Sequence, residues 1–308
     1  MWLANPLDSP LLGPTVRVLA SVLGVALLGL LIKERRRLRQ WRQNELLQRL
    51  LTWAWIAPLY TLAVLSGWLP TLAFVSLIVT QGLREYAQVS GLPHLYRWVL
   101  LGAGLLAAPA ALISPFAFYA LPALLLLVAT WQPILAQDPQ AGVRHLAFAV
   151  FGWGYLAWLL AHFMLARLYL PGGDGLLLAL GLAVALSDVA AFVLGKSLGR
   201  HKLAPKLSPN KTWEGLAGNL VGAALGVLLM RFALPSGLPW FFAPFLALAI
   251  GLGAAWGDLL ESALKRGFQV KDAGDWLPGF GGLLDRIDSL VIATPLAYYL
   301  AKVAIAMS

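Results

Sequence analysis

Apolar runs of about 18 residues or more recur along the whole of this chain, and a run of that length is what a helix needs to cross the hydrocarbon core of a bilayer. The rest of the composition agrees. Of 308 residues, 60% are hydrophobic and 12% charged, with a mean hydropathy of +0.76, whereas a soluble domain carries about a quarter charged residues. The deficit is too large for a chain that must present its surface to water. The pattern predicts an all-α, polytopic integral membrane bundle forming a single domain over residues 1–308.

Breaks at proline, glycine and charge divide the apolar sequence into ten candidate spans: 14–32, 51–69, 70–83, 97–113, 116–135, 146–168, 175–195, 216–234, 240–262 and 287–306. The boundary between the second and third rests on a turn at Trp68-Leu69-Pro70, and nine spans are the alternative count. The first residues, MWLANPLDSPLLGP, lack a basic n-region and a small-residue cleavage site, so the first run reads as a retained span rather than a removable signal peptide. The chain has no cysteine, which excludes a disulfide framework and a thiolate zinc site.

With ten spans, the loops at 33–50, 84–97, 136–145, 196–215 and 263–286 fall on one side of the membrane. They and their edges carry nineteen of the 23 basic residues, leaving Arg17, Arg167, Arg231 and Lys302 on the other. The positive-inside rule then puts the basic loops in the cytoplasm and both termini outside, as in a bacterial inner membrane. The net charge of +9 is accounted for in the same way, by topology signals and lipid headgroups. No recognisable nucleic-acid module accompanies it. The stretch 33–50, KERRRLRQWRQNELLQRL, serves either as a stop-transfer flank or as an amphipathic helix on anionic headgroups.

Residues 1–170 read as apolar scaffold, and nearly all the chemistry lies between 187 and 288. Asp188 falls within the seventh span, and Asp258 with Glu261 near the inner end of the ninth. A carboxylate in a span costs several kcal/mol unless it is paired, metal-bound or facing water, which makes function the default hypothesis. Asp258, Glu261 and Ser262 share one helical face by their spacing, and Asp285 and Asp288 sit three apart at the entry to the last span. Two acidic faces at one depth repel each other unless cations are present, and an all-oxygen donor set suits Mg²⁺. Separate interfacial caps are the alternative, more so for Asp288 than for Asp258.

Basic residues surround these acids. The loop GKSLGRHKLAPKLSPNKTWEG supplies Lys196, Arg200, Lys202, Lys206 and Lys211, and KRGFQVKD supplies Lys265, Arg266 and Lys271. Carboxylates among many cations match a metal-bound polyphosphate. Ser208, Thr212 and a turn at Pro209-Asn210 can add donors. Gly279, Gly281 and Gly282 permit close backbone approach to a ligand or serve turn geometry alone. Gly195-Lys196-Ser197 lacks the spacing and the preceding strand of a P-loop. Gly251, Gly253 and Gly257 fit close helix packing. Of the four histidines, His94, His145, His162 and His201, none shows metal-ligand spacing, and only His201 lies in the basic loop.

The stretch Ser262 to Asp288, SALKRGFQVKDAGDWLPGFGGLLDRID, resembles the signature of the phosphatidate cytidylyltransferases, the CDP-diacylglycerol synthases. GDLLES at 257–262, GRHKLAPKLSPNKTWEG at 199–215 and SDVAAFVLGK at 187–196 resemble further segments of that family, and Leu83-Arg84-Glu85-Tyr86 is a faint echo. One position departs: Phe280 stands where the family usually has His, and phenylalanine can neither donate a hydrogen bond nor carry a proton. That departure leaves room for a divergent paralogue.

The resemblance implies that CTP binds with its triphosphate among the cytoplasmic basic loops. A phosphate oxygen of phosphatidate then attacks the α-phosphorus and pyrophosphate leaves. It implies a two-cation site containing Mg²⁺ on Asp258 and Asp285, with Asp188 and Asp288 as further ligands or nucleotide contacts. It implies catalytic alignment by Lys271, and substrate contacts from Lys196, Lys202, Lys206, Ser208, Lys211, Thr212, Ser262, Lys265, Arg266, Gly281, Gly282 and Arg286. A homodimer is an admissible assembly. The competing expectations are transfer to another lipid phosphate, a CTP-dependent lipid kinase, a non-catalytic lipid-binding paralogue and, from another class, an ion-coupled transporter.

Overall fold

The computed structural model describes residues 2–33, 45–137, 139–274, 276 and 281–307. The basic stretch at 34–44, with its choice between anchor and interfacial helix, and Gly279 with Phe280 lie outside the described residues.

The chain folds as a helical bundle, as the recurrent apolar runs require. Lipid offers no partner for backbone N–H and C=O groups, so a spanning segment must satisfy them within itself. The helices are α1 (Leu12–Lys33), α2 (Glu45–Leu65), α3 (Trp68–Val89), α4 (His94–Ile113), α5 (Pro115–Ala129), the short α6 (Trp131–Ala136), α7 (Pro139–Gly152), α8 (His162–Tyr169), α9 (Gly173–Leu198), α10 (Trp213–Leu229), α11 (Ala243–Gly267) and α12 (Leu284–Ala306). A helix occupies each of the ten expected positions. Among the described residues, seven stretches are long and apolar enough to cross a membrane: Leu12–Ile32, His94–Ile113, Pro115–Leu135, Ala141–Tyr169, Gly173–Leu198, Trp240–Gly267 and Leu284–Ala306. α10 is apolar but shorter. α2 and α3 fall outside that set; Glu45, Gln48 and Arg49 open the one, and Arg84, Glu85 and Gln88 close the other.

Two local features differ from the sequence expectation. The break between the second and third spans falls at Gly67, whose φ of 105° no other residue adopts easily, and α3 then runs on to Val89. Pro70 sits in its first turn, where a missing N–H costs nothing. The loop between α9 and α10 contains a two-stranded antiparallel ribbon, β1 (Lys202–Ala204) and β2 (Ser208–Thr212). Its turn is at 205–207, so Pro209-Asn210 lies within β2 instead of forming the turn. A proline is tolerated there because each strand of a two-stranded ribbon has one free edge. Thr212 ends the ribbon and caps α10, its Oγ1 accepting from the Gly215 N–H at 3.0 Å.

The sixth span is not a regular helix. Between α7 and α8 the backbone forms a π-helical turn over Trp153–Trp158. Trp153 anchors it, its indole N–H donating to the Ala103 carbonyl at 2.9 Å, and Tyr155 stacks on Phe151 with ring centroids 5.7 Å apart.

Small-residue seams draw the last four long helices together. Gly218, Gly222 and Gly226 recur every four residues on one face of α10, and a Cβ on any of them would run into the α9 backbone around Ala190, Leu186 and Ala183. On α11, Gly251 faces Leu220 of α10, while Gly253 and Gly257 face the α12 backbone at Ala293 and Asp288. Such seams bring backbones closer than larger side chains allow. They place the acid-bearing turns of α9, α11 and α12 side by side. The core lies around Leu156, Leu160, Phe163, Met164, Leu176 and Leu177, all fully buried, while α1 and α5 leave many apolar side chains on the outer surface.

Candidate active site

α11 carries Asp258, Glu261 and Lys265 on one face, and α12 carries Asp285 and Asp288 on its first turns. The contact at Gly257 sets Asp288 beside Asp258. As a result, Asp258, Glu261 and Asp288 can each present a carboxylate oxygen with all three oxygens within 4.8 Å of one another. Glu261 and Asp288 are buried, whereas Asp258 opens to the surface. Oxygen Oε1 of Glu261 is buried and has no hydrogen-bond partner among the described residues. Three converging carboxylates with an unused buried oxygen repel one another beyond what neighbouring lysines offset, and a hard divalent cation is a species that such a donor set accommodates.

Lysines border the cluster on two sides. Lys265 reaches Glu261 Oε2 and Asp285 Oδ1, both at 2.7 Å. Lys211, from β2, pairs with Asp258. The same ribbon is tied to the end of α11 by Arg266, whose Nε donates to the Leu207 carbonyl at 3.4 Å. This docking hangs a basic ribbon over the acids. Lys196, Arg200, Lys202 and Lys206 are exposed around it, with the Lys196 ammonium 5.5 Å from the centre of the Phe192 ring. Ser208 and Ser262 are partly buried. His201 pairs with Glu214 at 2.8 Å at the base of the ribbon.

The structure separates residues that the sequence groups. Asp285 is not one of the three converging carboxylates, although its carboxyl lies within hydrogen-bonding reach of Glu261. Its Oδ2 accepts from the N–H groups of Ala273 and Gly282 at 3.3 and 3.1 Å, while its other oxygen takes Lys265. Gly281, at φ 84°, turns the chain into that arrangement. Asp188 stands exposed on α9 and accepts from Ser289 Oγ at 3.0 Å, next to Asp288. Ser187 beside it is buried and accepts from Asn219 of α10 at 2.8 Å. Lys271 and Arg286 are exposed at the rim.

Glu85 is the residue whose role the sequence leaves hidden. It is buried near the end of α3, and its two oxygens accept from the N–H groups of Leu283 and Leu284 at 3.0 and 2.7 Å. It thereby caps the N-terminus of α12, where unpaired amides and the helix dipole favour a carboxylate. Gln81 donates to it at 2.9 Å. A Cβ at Gly282 would stand 2.7 Å from Glu85 Oε2, so the loop can close on this carboxylate only with glycine there.

The cytidylyltransferase family model matches residues 47–304, from α2 through nearly all of α12. The chain belongs to the cytidylyltransferase family. Membership makes it a nucleotidyltransferase by class, and the match takes in the scaffold helices as well as the acid-bearing ones. Among its relatives is the uncharacterized protein YnbB of Escherichia coli (strain K12), 36% identical over 279 residues, which are 86% of this chain and 90% of that protein. The phosphatidate cytidylyltransferase of Mycobacterium leprae (strain TN) is 40% identical over 144 residues, 46% of each chain. That of Bacillus subtilis (strain 168) is 43% identical over 114 residues, 37% of this chain and 42% of the relative. The alignments to these two enzymes thus span less than half of their length. The seven apolar helices and this family make the chain an integral membrane protein.

Proposed function

We propose that the chain transfers the cytidylyl group of CTP to phosphatidate, giving CDP-diacylglycerol and pyrophosphate for phospholipid synthesis. The observation that carries this is the Asp258–Glu261–Asp288 cluster, set at the edge of the bundle under a basic ribbon in a cytidylyltransferase-family chain. Mg²⁺ held there would neutralise phosphate charge and orient the reacting oxygens. Asp188 and Asp285 border the cluster and are the positions from which a second cation would be reached. Lys196, Lys202, Lys206, Lys211 and Lys271 would bind the triphosphate, with Ser208, Ser262, Arg266 and Arg286 adding donors. Lys265, held between Glu261 and Asp285, keeps both carboxylates aimed.

In the reaction a lipid phosphate oxygen forms a bond to the α-phosphorus as the bond to the β-phosphate oxygen breaks. The attacking phosphate is already anionic, so no external base is needed and the residues act by alignment and charge neutralisation. The positive-inside bias supports a cytoplasmic site, where CTP is available. A transporter reading is disfavoured by the gathering of the acids at one end of α11 and α12.

Purified protein given labelled CTP, Mg²⁺ and phosphatidate in mixed micelles is expected to form lipid-linked CMP and pyrophosphate in equal amounts, and chelation is expected to abolish both. Absence of product from every lipid phosphate tried would overturn the enzymatic reading. A second reading, transfer to a different lipid phosphate, is favoured by the broad match to YnbB and by Phe280. Phe280→His is expected to raise turnover of phosphatidate. If it does not, and another lipid phosphate is used better by the unaltered protein, the paralogue reading replaces the first.

A further inference from the structure

The end of the bundle away from the acids carries a cation with no part in their chemistry. Lys302 stands about one turn from the end of α12 and follows Asp288 by fourteen residues on the same helix, a rise of roughly 21 Å. It is exposed, and no carboxylate lies within ion-pairing distance of it among the described residues. Its ammonium sits over two tyrosine rings, 5.8 Å from the centre of Tyr119 on α5 and 5.7 Å from that of Tyr298, one turn back along α12. A lysine near the end of a span normally extends its charge outward into water. This one is drawn against the bundle, where the ring faces hold it.

A buried histidine sorts the hydroxyls around this cation. His162 of α8 is fully buried, and its Nδ1 lies 3.1 Å from the carbonyl oxygens of both Trp158 and Leu159. Carbonyls only accept, so Nδ1 carries the proton and Nε2 accepts from the Tyr299 hydroxyl at 3.0 Å. The hydroxyls of Tyr119 and Tyr298 lie 3.4 Å apart. Tyr298 is buried, whereas Tyr119 is 37% exposed. With Tyr298 donating inward to Tyr119, the Tyr119 O–H is left for a partner outside the protein, beside the Lys302 ammonium. Exposed apolar side chains flank the pair, Phe116 about one turn before Tyr119 and Val303 next to Lys302, so this surface faces lipid. A phospholipid phosphate is what brings a negative oxygen to that depth. Lys302 already occupies ring faces, and no carboxylate is at hand to balance a choline or ethanolamine ammonium, so the headgroup that fits has a net negative charge. We propose that Lys302 and the Tyr119 hydroxyl bind the phosphate of an anionic phospholipid in the leaflet opposite the acids, where the ends of α5, α8 and α12 meet.

Phosphatidylglycerol bearing a diazirine near its headgroup, doped into phosphatidylcholine nanodiscs, is expected to label the segments around Tyr119 and Lys302 on illumination. The labelling should saturate as the mole fraction of the probe rises, and unlabelled phosphatidylglycerol should compete with it. A phosphatidylcholine probe of the same design should label these segments without saturating. Lys302→Gln is expected to raise the half-saturating fraction about fivefold, the scale of one basic residue at an anionic membrane surface, and Lys302→Arg to leave it near wild type. Tyr119→Phe changes no charge and keeps the ring under Lys302, so general attraction to the membrane surface predicts no effect. A site predicts weakening of about fivefold from the lost hydrogen bond. Labelling that never saturates, equal saturable labelling by the phosphatidylcholine probe, or an unchanged half-saturation in Lys302→Gln or Tyr119→Phe overturns the inference. Should Lys302→Gln fail to fold, Tyr119→Phe decides alone.

Discussion

Asp288→Asn is expected to fold normally and to lose cytidylyl transfer by about 10²–10³-fold, the loss typical when one preorganised electrostatic group is removed from a site. Asp288 is buried, and its Oδ1 accepts from the Ser289 N–H at 2.7 Å. An asparagine keeps the shape and that acceptor while removing the charge. Because the three carboxylates repel one another when no cation is bound, the variant should melt at the same temperature as the wild type or higher in chelator. Mg²⁺ should then stabilise it far less than it stabilises the wild type. Asp258→Asn should behave alike and also release Lys211 from its ion pair. Turnover within about threefold of the wild type, against the expected loss of one electrostatic group, would remove the cluster from the mechanism. The combination of lost activity and retained stability separates a cation site from a packing element.

Glu85→Ala is expected to damage both stability and activity. The substitution strands the buried N–H groups of Leu283 and Leu284, each at a cost of about 1–3 kcal/mol, and opens a gap beside Gly274 and Gly282. It also loosens the first turn of α12, which positions Asp285 and Asp288. The melting temperature in detergent should fall clearly, and residual activity should fall with it. Glu85→Gln should be intermediate, since an amide presents one acceptor where the carboxylate presents two. Arg84→Ala, at the exposed neighbouring position, should leave both measurements near wild type. A Glu85→Ala protein as stable and as active as wild type would show that α12 does not depend on this cap.

Much of the molecule was legible before its structure. Apolar length placed helices at all ten expected positions, because a spanning helix is a local response to the absence of water. The spacing of Asp258 with Glu261, and of Asp285 with Asp288, placed acids together on one face of each of two helices, and the resemblance of 187–290 to phosphatidate cytidylyltransferases pointed to the cytidylyltransferase family that the match over 47–304 then established. Local irregularities were harder. The π-turn at Trp153–Trp158 and the ribbon at 202–212 have no periodic signal, since each depends on how a short segment packs against distant helices.

The tertiary structure alone decided which acids meet. In sequence, Asp285 and Asp288 look equivalent, three residues apart on one helix. Lys265 and the N–H groups of Ala273 and Gly282 claim Asp285, while the close approach at Gly257 sets Asp288 against Asp258. Nor could spacing connect Glu85 to a helix start 198 residues away. Composition and periodicity determine which segments enter the membrane and which faces are polar, because those are properties of consecutive residues. Partnership among the polar groups is set by small-residue seams and loop closures between segments far apart in the chain, where sub-ångström differences in approach decide whether a carboxylate meets an amide, an ammonium or another carboxylate.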